Sequence, residues 1–417
     1  MLLTLRSKFV QYKTVFFYTG SSIIKSFAVI IVGFVIARFV SPEDLGIWSS
    51  INLLLNYSMF FQAGLINGLN LELPYLIGKN DNKTAMELAG ASKMVVILSS
   101  VFVIFIGVLF FLFYTELNDK YKYGILVMSF IIGITFYQNY LTSTFRSKNS
   151  FEKLSLIQIV DSIFNVVTLF LVVYYSYYGL LFKSLLVIIV YVFILHVTRP
   201  LKVKSVWNIN GIIRLVKIGF PIFILAYIEN TAFTMDRLIL IKYSNLVDLG
   251  LYSFALYALS LFSLFSSSVA TYIYPRMTYN YACNGDKLYL WIYAKKVTLL
   301  LLVLQLPLAI IGVFSLNYIV PLFFPNYVDS ITAMQILLFA GVFKGSVVGV
   351  NALWSVKCWR YMISYQLLFS LFLCVFPFLF FKYICMKIEF VALGILVACF
   401  VNLFSGIYFT YKGLRVN

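Results

Sequence analysis

Lys25, Asp161, Glu229, Asp236, Arg237 and Lys344 each interrupt a long run of aliphatic and aromatic residues. A charge near the centre of a membrane-spanning helix costs at least about 2.5–3.5 kcal/mol on insertion scales, so each needs a partner or a wet cavity. On a helical wheel Glu229, Asn230, Thr234, Asp236 and Arg237 fall in one arc, while Leu225, Ile228, Ala232, Met235 and Ile239 occupy the rest. Glu229 and Asp236 are seven residues apart, which places them on one face at about 10 Å. The arc predicts a cavity between two halves of the molecule, not lipid. Three kinds of chemistry suit these residues. Lys25, Arg237 and Lys344 supply positive potential for an anionic headgroup. Lys25 and Glu229 pair across the halves as a gate, or Glu229 and Asp236 bind a coupling proton or cation. In the structural alternative they are local packing pairs, such as Asp236 with Arg237 capping a helix end.

The elements that must position these charges follow from composition. Of 417 residues, 62% are hydrophobic and only 11% charged, and mean hydropathy is +0.95. Soluble domains carry about 25% charge. A membrane span needs about 20 mostly apolar residues, and such runs recur from end to end. The fold class is therefore an all-α polytopic membrane protein. Twelve spans are predicted, at about 15–37, 47–69, 92–113, 123–144, 156–175, 179–197, 217–241, 249–272, 296–317, 331–353, 362–382 and 390–411. Between the fifth and sixth, Gly179 is nearly the only punctuation. A β-barrel would show short alternating segments instead. Asp161 lies about a turn inside the fifth span, and Lys344 near the middle of the tenth.

Orientation follows from Lys and Arg. With the N-terminus inside, 22 of the 32 basic side chains fall on the cytoplasmic side, seven outside, Lys183 among them, and three within spans. Both termini are expected in the cytoplasm. Topology and contact with anionic lipid account for most of the +17 net charge without nucleic acid. The first span is too long and too polar in its middle for a cleaved signal peptide, and it is expected to remain. Cys283, Cys358, Cys374, Cys385 and Cys399 show no metal spacing, and no metal site, cofactor or catalytic set is predicted. His196, the sole histidine, reads as interfacial.

A short phrase occurs twice: Asp44-Leu45-Gly46 in "SPEDLGIWSS" and Asp248-Leu249-Gly250 in "NLVDLGLYSF". The offset is 204, close to half the chain. The same register pairs Arg38 with Lys242, Trp48 with Tyr252, Ser49 with Ser253 and Lys25 with Glu229. Pro74 and Pro275, then Gln158 and Gln366, repeat at nearly that spacing. Two six-helix parallel pseudo-repeats are predicted, 1–205 and 206–417, related by an axis along the membrane normal around a central cavity. Asp44 and Asp248 suit helix N-termini, where an acceptor and a negative charge are favoured. The paired corners read as structural, on the outer rim.

From Asp236-Arg237-Leu238-Ile239-Leu240 through Asp248-Leu249-Gly250-Leu251-Tyr252-Ser253, the sequence resembles the seventh-helix signature of bacterial polysaccharide (O-antigen) flippases, in the multidrug/oligosaccharidyl-lipid/polysaccharide (MOP) exporter superfamily. "RFVSPEDLGIWS", Gly219-Phe220-Pro221, Tyr274-Pro275-Arg276 and "FFPNYVDSITAMQIL" look like the same family, in the same order. The resemblance implies MATE-like lobes and a multi-pass protein of the bacterial cytoplasmic (inner) membrane. It implies transfer of a polyprenyl-pyrophosphate-linked oligosaccharide to the outer leaflet by alternating access, with proton or sodium coupling and no other cofactor. Membrane lipids, a polysaccharide polymerase and a chain-length regulator are the implied partners. Only Asp236-Arg237 transfers by motif. The drug-exporting branch usually carries an acidic coupling site in its first helix, whereas this chain has Lys25 there and no acid. A drug or small-solute antiporter of the same fold is the alternative reading. A membrane polymerase would need a long outer loop with basic catalytic residues, and an ATP-driven pump would need a P-loop, which is absent.

Overall fold

The computed structural model describes residues 2–114 and 116–415; among these no strand occurs. Side chains before Gly20, that of Arg415 and a few between 268 and 284 lie outside the described residues, so Arg6, Lys8, Lys13, Pro275 and Arg276 are not discussed further.

The helices are α1 (Leu2–Phe39), α2 (Pro42–Ser58), α3 (Leu65–Gly78), α4 (Asn82–Phe113), α5 (Asp119–Ser147), α6 (Phe151–Val167), α7 (Leu169–Val197), α8 (Ile209–Ala232), α9 (Met235–Tyr243), α10 (Leu246–Asn284), α11 (Lys287–Phe323), α12 (Ile331–Ser346), α13 (Asn351–Val356), α14 (Trp359–Tyr383) and α15 (Ile388–Arg415). Ten stretches among the described residues are long and apolar enough to cross a bilayer. The second and fifth predicted spans are the two that fall short, and each has a local cause. In the second, the chain leaves α2 through a 3-10 turn to Ala63 (φ 43°) and Gly64 (φ 79°), then re-enters a helix as α3. Only glycine suits Gly64: a Cβ there would lie 2.7 Å from the Gly219 carbonyl carbon. The fifth, α6, has 17 residues. The chain breaks at Thr168, between α6 and α7, and again inside α7 at Ser176 (φ 48°, ψ −119°), which falls in the predicted junction just before Gly179.

The seventh span also breaks. α8 ends at Ala232 and α9 begins at Met235, with Thr234 buried between them. A wheel drawn through 229–237 therefore crosses a turn at Phe233 and Thr234 and is not drawn on one uninterrupted helix.

Contacts divide the chain into two compact units, Met1–Val32 with Ile51–Tyr227, and Gly33–Ser50 with Ile228–Asn417. This division differs from the repeat boundary at 205/206. Residues 33–50 group with the second unit, and 206–227 with the first. In the first unit α4 packs along α5, and α5 along α7; in the second α10 packs on α12 and α14 on α15. Large apolar side chains such as Val101, Phe105 and Leu112 on α4, or Val303, Ile311 and Leu322 on α11, are exposed. That is the composition a lipid-facing helix requires, since hydrocarbon accepts apolar groups without cost.

The duplicated phrase forms one reciprocal contact inside the second unit. Ser41 and Asn245 are the helix caps: the Ser41 hydroxyl accepts the Asp44 N–H at 3.2 Å, and Asn245 Oδ1 accepts the Asp248 N–H at 2.8 Å. The aspartates thus sit in the first turn, three residues after the cap. A Cβ on Gly46 would lie 1.9 Å from the Leu246 carbonyl oxygen, and one on Gly250 would lie 1.7 Å from that of Pro42. Pro42 and Leu246 are themselves separated by 204. On the axis of this contact the Ser49 and Ser253 hydroxyl oxygens lie 2.7 Å apart. The buried Tyr327 hydroxyl closes the corner by donating to the Val40 carbonyl at 2.9 Å.

Candidate functional site

Four of the six predicted charges fall into two polar clusters, one in each unit. In the first, α6 presents Gln158, Asp161 and Asn165 at spacings of three and four, which is one helical face. Asp161, 6% exposed at its side chain, ion-pairs with Lys25 of α1 at 2.7 Å. The Lys25 ammonium also lies 4.3 Å above the Tyr191 ring, and the Ser21 hydroxyl donates to Gln158 at 3.0 Å. Lys183 of α7, only 4% exposed, donates to Asn165 Oδ1. Two ammonium groups thus share one carboxylate and one amide, leaving the cluster with a net positive charge. Lys183 was counted with the outer loops on sequence; its place four residues into a predicted span was the signal that it belonged here. Within its own unit Lys25 pairs with Asp161, and Glu229 is engaged by Gln366.

In the second unit a cavity of about 280 Å³ opens among α8, α10, α12, α13, α14 and α15. Glu229 and Lys344 both line it, with Ser266, Trp354, Gln366 and Asn402. Gln366 Nε2 donates to the Glu229 carboxylate. This polar link joins the seventh and eleventh spans, as Lys25–Asp161 joins the first and fifth, so the repeat places equivalent bonds with different residues. Lys344 lies 3.7 Å over the Phe233 ring. Among the described residues no carboxylate is within ion-pair distance of it and no acceptor within hydrogen-bond distance. A desolvated cation–π contact contributes about 2 kcal/mol, whereas taking an ammonium out of water costs several. The ring alone does not offset that cost, and the adjoining cavity has room for water or a ligand beside the Lys344 side chain. The cavity wall also carries an unpartnered acceptor, Asn402 Oδ1, in a side chain 1% exposed.

The remaining predicted residues lie elsewhere. Asp236 is buried at 2% exposure and accepts from the Tyr252 hydroxyl at 2.8 Å. Its Oδ1 takes the Arg237 backbone N–H at 2.7 Å and stands 3.6 Å from Arg237 Nε. This is the local cap-and-pair arrangement at the start of α9. Neither residue lines the cavity. Asn230 is exposed and does not line it either. Sequence reasoning passed over Asn165 and Asn402, because a single amide in an apolar helix gives no periodic signal. Gln158 and Gln366 were legible as repeat landmarks but not as partners of the charges. No group of His, Cys, Asp and Glu able to hold a metal ion occurs among the described residues.

The fold is that of MOP-superfamily transporters. The chain superposes on the lipid II flippase MurJ, in its inward closed conformation, with a TM-score of 0.74 at 15% identity, covering 94% of this chain and 86% of MurJ. An inward-facing MATE-family multidrug resistance transporter gives 0.71 at 13% identity, with 94% of each chain covered. A Vibrio cholerae MATE transporter, crystallised as a point mutant, gives 0.60 at 15% identity, with 97% of each covered. No curated protein matches the chain in sequence. The polysaccharide biosynthesis protein family matches residues 35–332. By that match, over most of its length, the chain belongs to the polysaccharide biosynthesis protein family, on a MOP-transporter fold.

Proposed function

We propose that this protein is a flippase that moves a polyprenyl-pyrophosphate-linked oligosaccharide, an O-antigen or related surface-polysaccharide unit, from the cytoplasmic to the outer leaflet. Membership of a polysaccharide biosynthesis family on a flippase-and-transporter fold is the observation that carries this reading. The chemistry supports it. A lipid-linked sugar needs a polar path through the membrane, and both units hold charged, amide-rich clusters among their apolar helices. The two lobes alternate access, and movement is coupled to a proton or sodium ion. On this reading the chain is a secondary transporter of the bacterial cytoplasmic membrane with both termini inside, as the Lys and Arg bias favours. A polysaccharide polymerase and a chain-length regulator act on the exported unit.

A drug antiporter is favoured only by the likeness to MATE transporters. Against it stands the first span, whose membrane-depth charge is a lysine rather than a coupling acid. Purified protein in proteoliposomes with a lipid-linked oligosaccharide in one leaflet tests the choice. Transfer measured by access of a sugar-modifying enzyme should rise with protein content. Export of cationic dyes without sugar transfer would reject the flippase in favour of the antiporter.

A further inference from the structure

We infer that the cavity of the second unit binds an acidic sugar residue of the cargo, with Lys344 holding its carboxylate; this rests on the flippase reading above. The cavity's inventory points to that ligand class. It offers one ammonium whose N–H donors have no acceptor among the described residues. Around it stand acceptors: the Glu229 carboxylate, which Gln366 engages, and the buried, unpartnered Asn402 Oδ1. Trp354 supplies an aromatic face on the same wall. A ligand that satisfies all of these has one anionic group for Lys344 and several hydroxyl donors for the acceptors. A hexuronic acid, or another carboxylated sugar, has both.

Other ligands fit less well. A pyrophosphate brings oxygens only, so it would give neither Asn402 Oδ1 nor the Glu229 carboxylate a donor. A bare inorganic cation would meet Lys344 as a like charge. A neutral sugar would satisfy the acceptors and leave the ammonium without a counter-charge. At about 280 Å³ the cavity suits a single sugar ring, not a whole repeat unit.

The test uses the full chain in proteoliposomes and two lipid-linked oligosaccharides that differ only in one position, hexuronic acid or the corresponding neutral hexose. The acidic cargo should cross faster, by about tenfold or more, because the neutral hexose leaves Lys344 without a counter-charge. Lys344→Gln should collapse that ratio toward one, and Lys344→Arg should keep most of it. Free D-glucuronate should slow the acidic cargo more than inorganic pyrophosphate does. Equal rates in the unaltered protein overturn the inference while leaving the flippase reading intact. So does a ratio that survives Lys344→Gln. Inhibition by pyrophosphate but not by glucuronate assigns Lys344 to the carrier lipid and equally overturns it. Transfer of neither cargo rejects the flippase reading itself.

Discussion

Lys25 and Asp161 illustrate what a charge inside a membrane protein demands. Asp161 is nearly buried, so removing Lys25 leaves a carboxylate with little water to replace its partner. Breaking such a pair from one side costs about 3–5 kcal/mol, whereas removing both partners is often nearly neutral. Lys25→Met should therefore lower the thermal midpoint in detergent markedly, and Lys25→Met combined with Asp161→Leu should recover most of the loss. A double variant as unstable as the single would show that the pair is not the unit of stability. The residues themselves were conspicuous in the sequence, because an ionisable group in an apolar run stands out by type alone. Their partners were not. Pairing depends on which helices meet, and neither Asp161 with Lys25 nor Gln366 with Glu229 is close in sequence.

Among the elements, the duplicated corners and the broken spans carry most of the information. Both Gly46 and Gly250 meet a backbone carbonyl where a Cβ would stand. Alanine at either should destabilise by about 1–3 kcal/mol, the range for overpacking, and by similar amounts because the contact is reciprocal. Ser49 and Ser253 touch on its axis. In a Ser49→Cys, Ser253→Cys variant an oxidant should join the two corners and stop transport, and a reductant should restore it. Transport undiminished by complete cross-linking would mean the corners stay together throughout the cycle. The cap of α4 adds a pH-dependent term. Asp81 Oδ1 accepts the Thr84 N–H at 3.2 Å, and these bonds to Thr84 hold the carboxyl below the usual carboxylate range. Its contribution is complete above the unfolded-state value of about 4 and is lost as pH falls through the lower folded value. Backbone protection at Thr84 should fall with acid over that window, and Asp81→Asn should abolish the dependence. The repeat was legible because its 204-residue offset is written in identical residues. The breaks at Ala63, Thr168 and Phe233 were not, since each falls within an apolar run whose composition continues across it. The wheel through Glu229 and Asp236 crosses one of these breaks.

At the scale of the whole molecule, composition alone specified an all-helical membrane protein, and the ordered motifs specified its family. The division of contacts was not legible, because residues 33–50 and 206–227 group by packing and not by chain order. Carriage of lipid-linked sugar across the membrane is the role proposed for this chain. Depleting the protein from its own cell, then measuring which leaflet holds the polyprenyl-pyrophosphate-linked oligosaccharide, tests it most directly. The expected result is accumulation in the cytoplasmic leaflet with loss of surface polysaccharide, both reversed by the unaltered chain. Normal surface polysaccharide with no accumulation of lipid-linked units inside would contradict it.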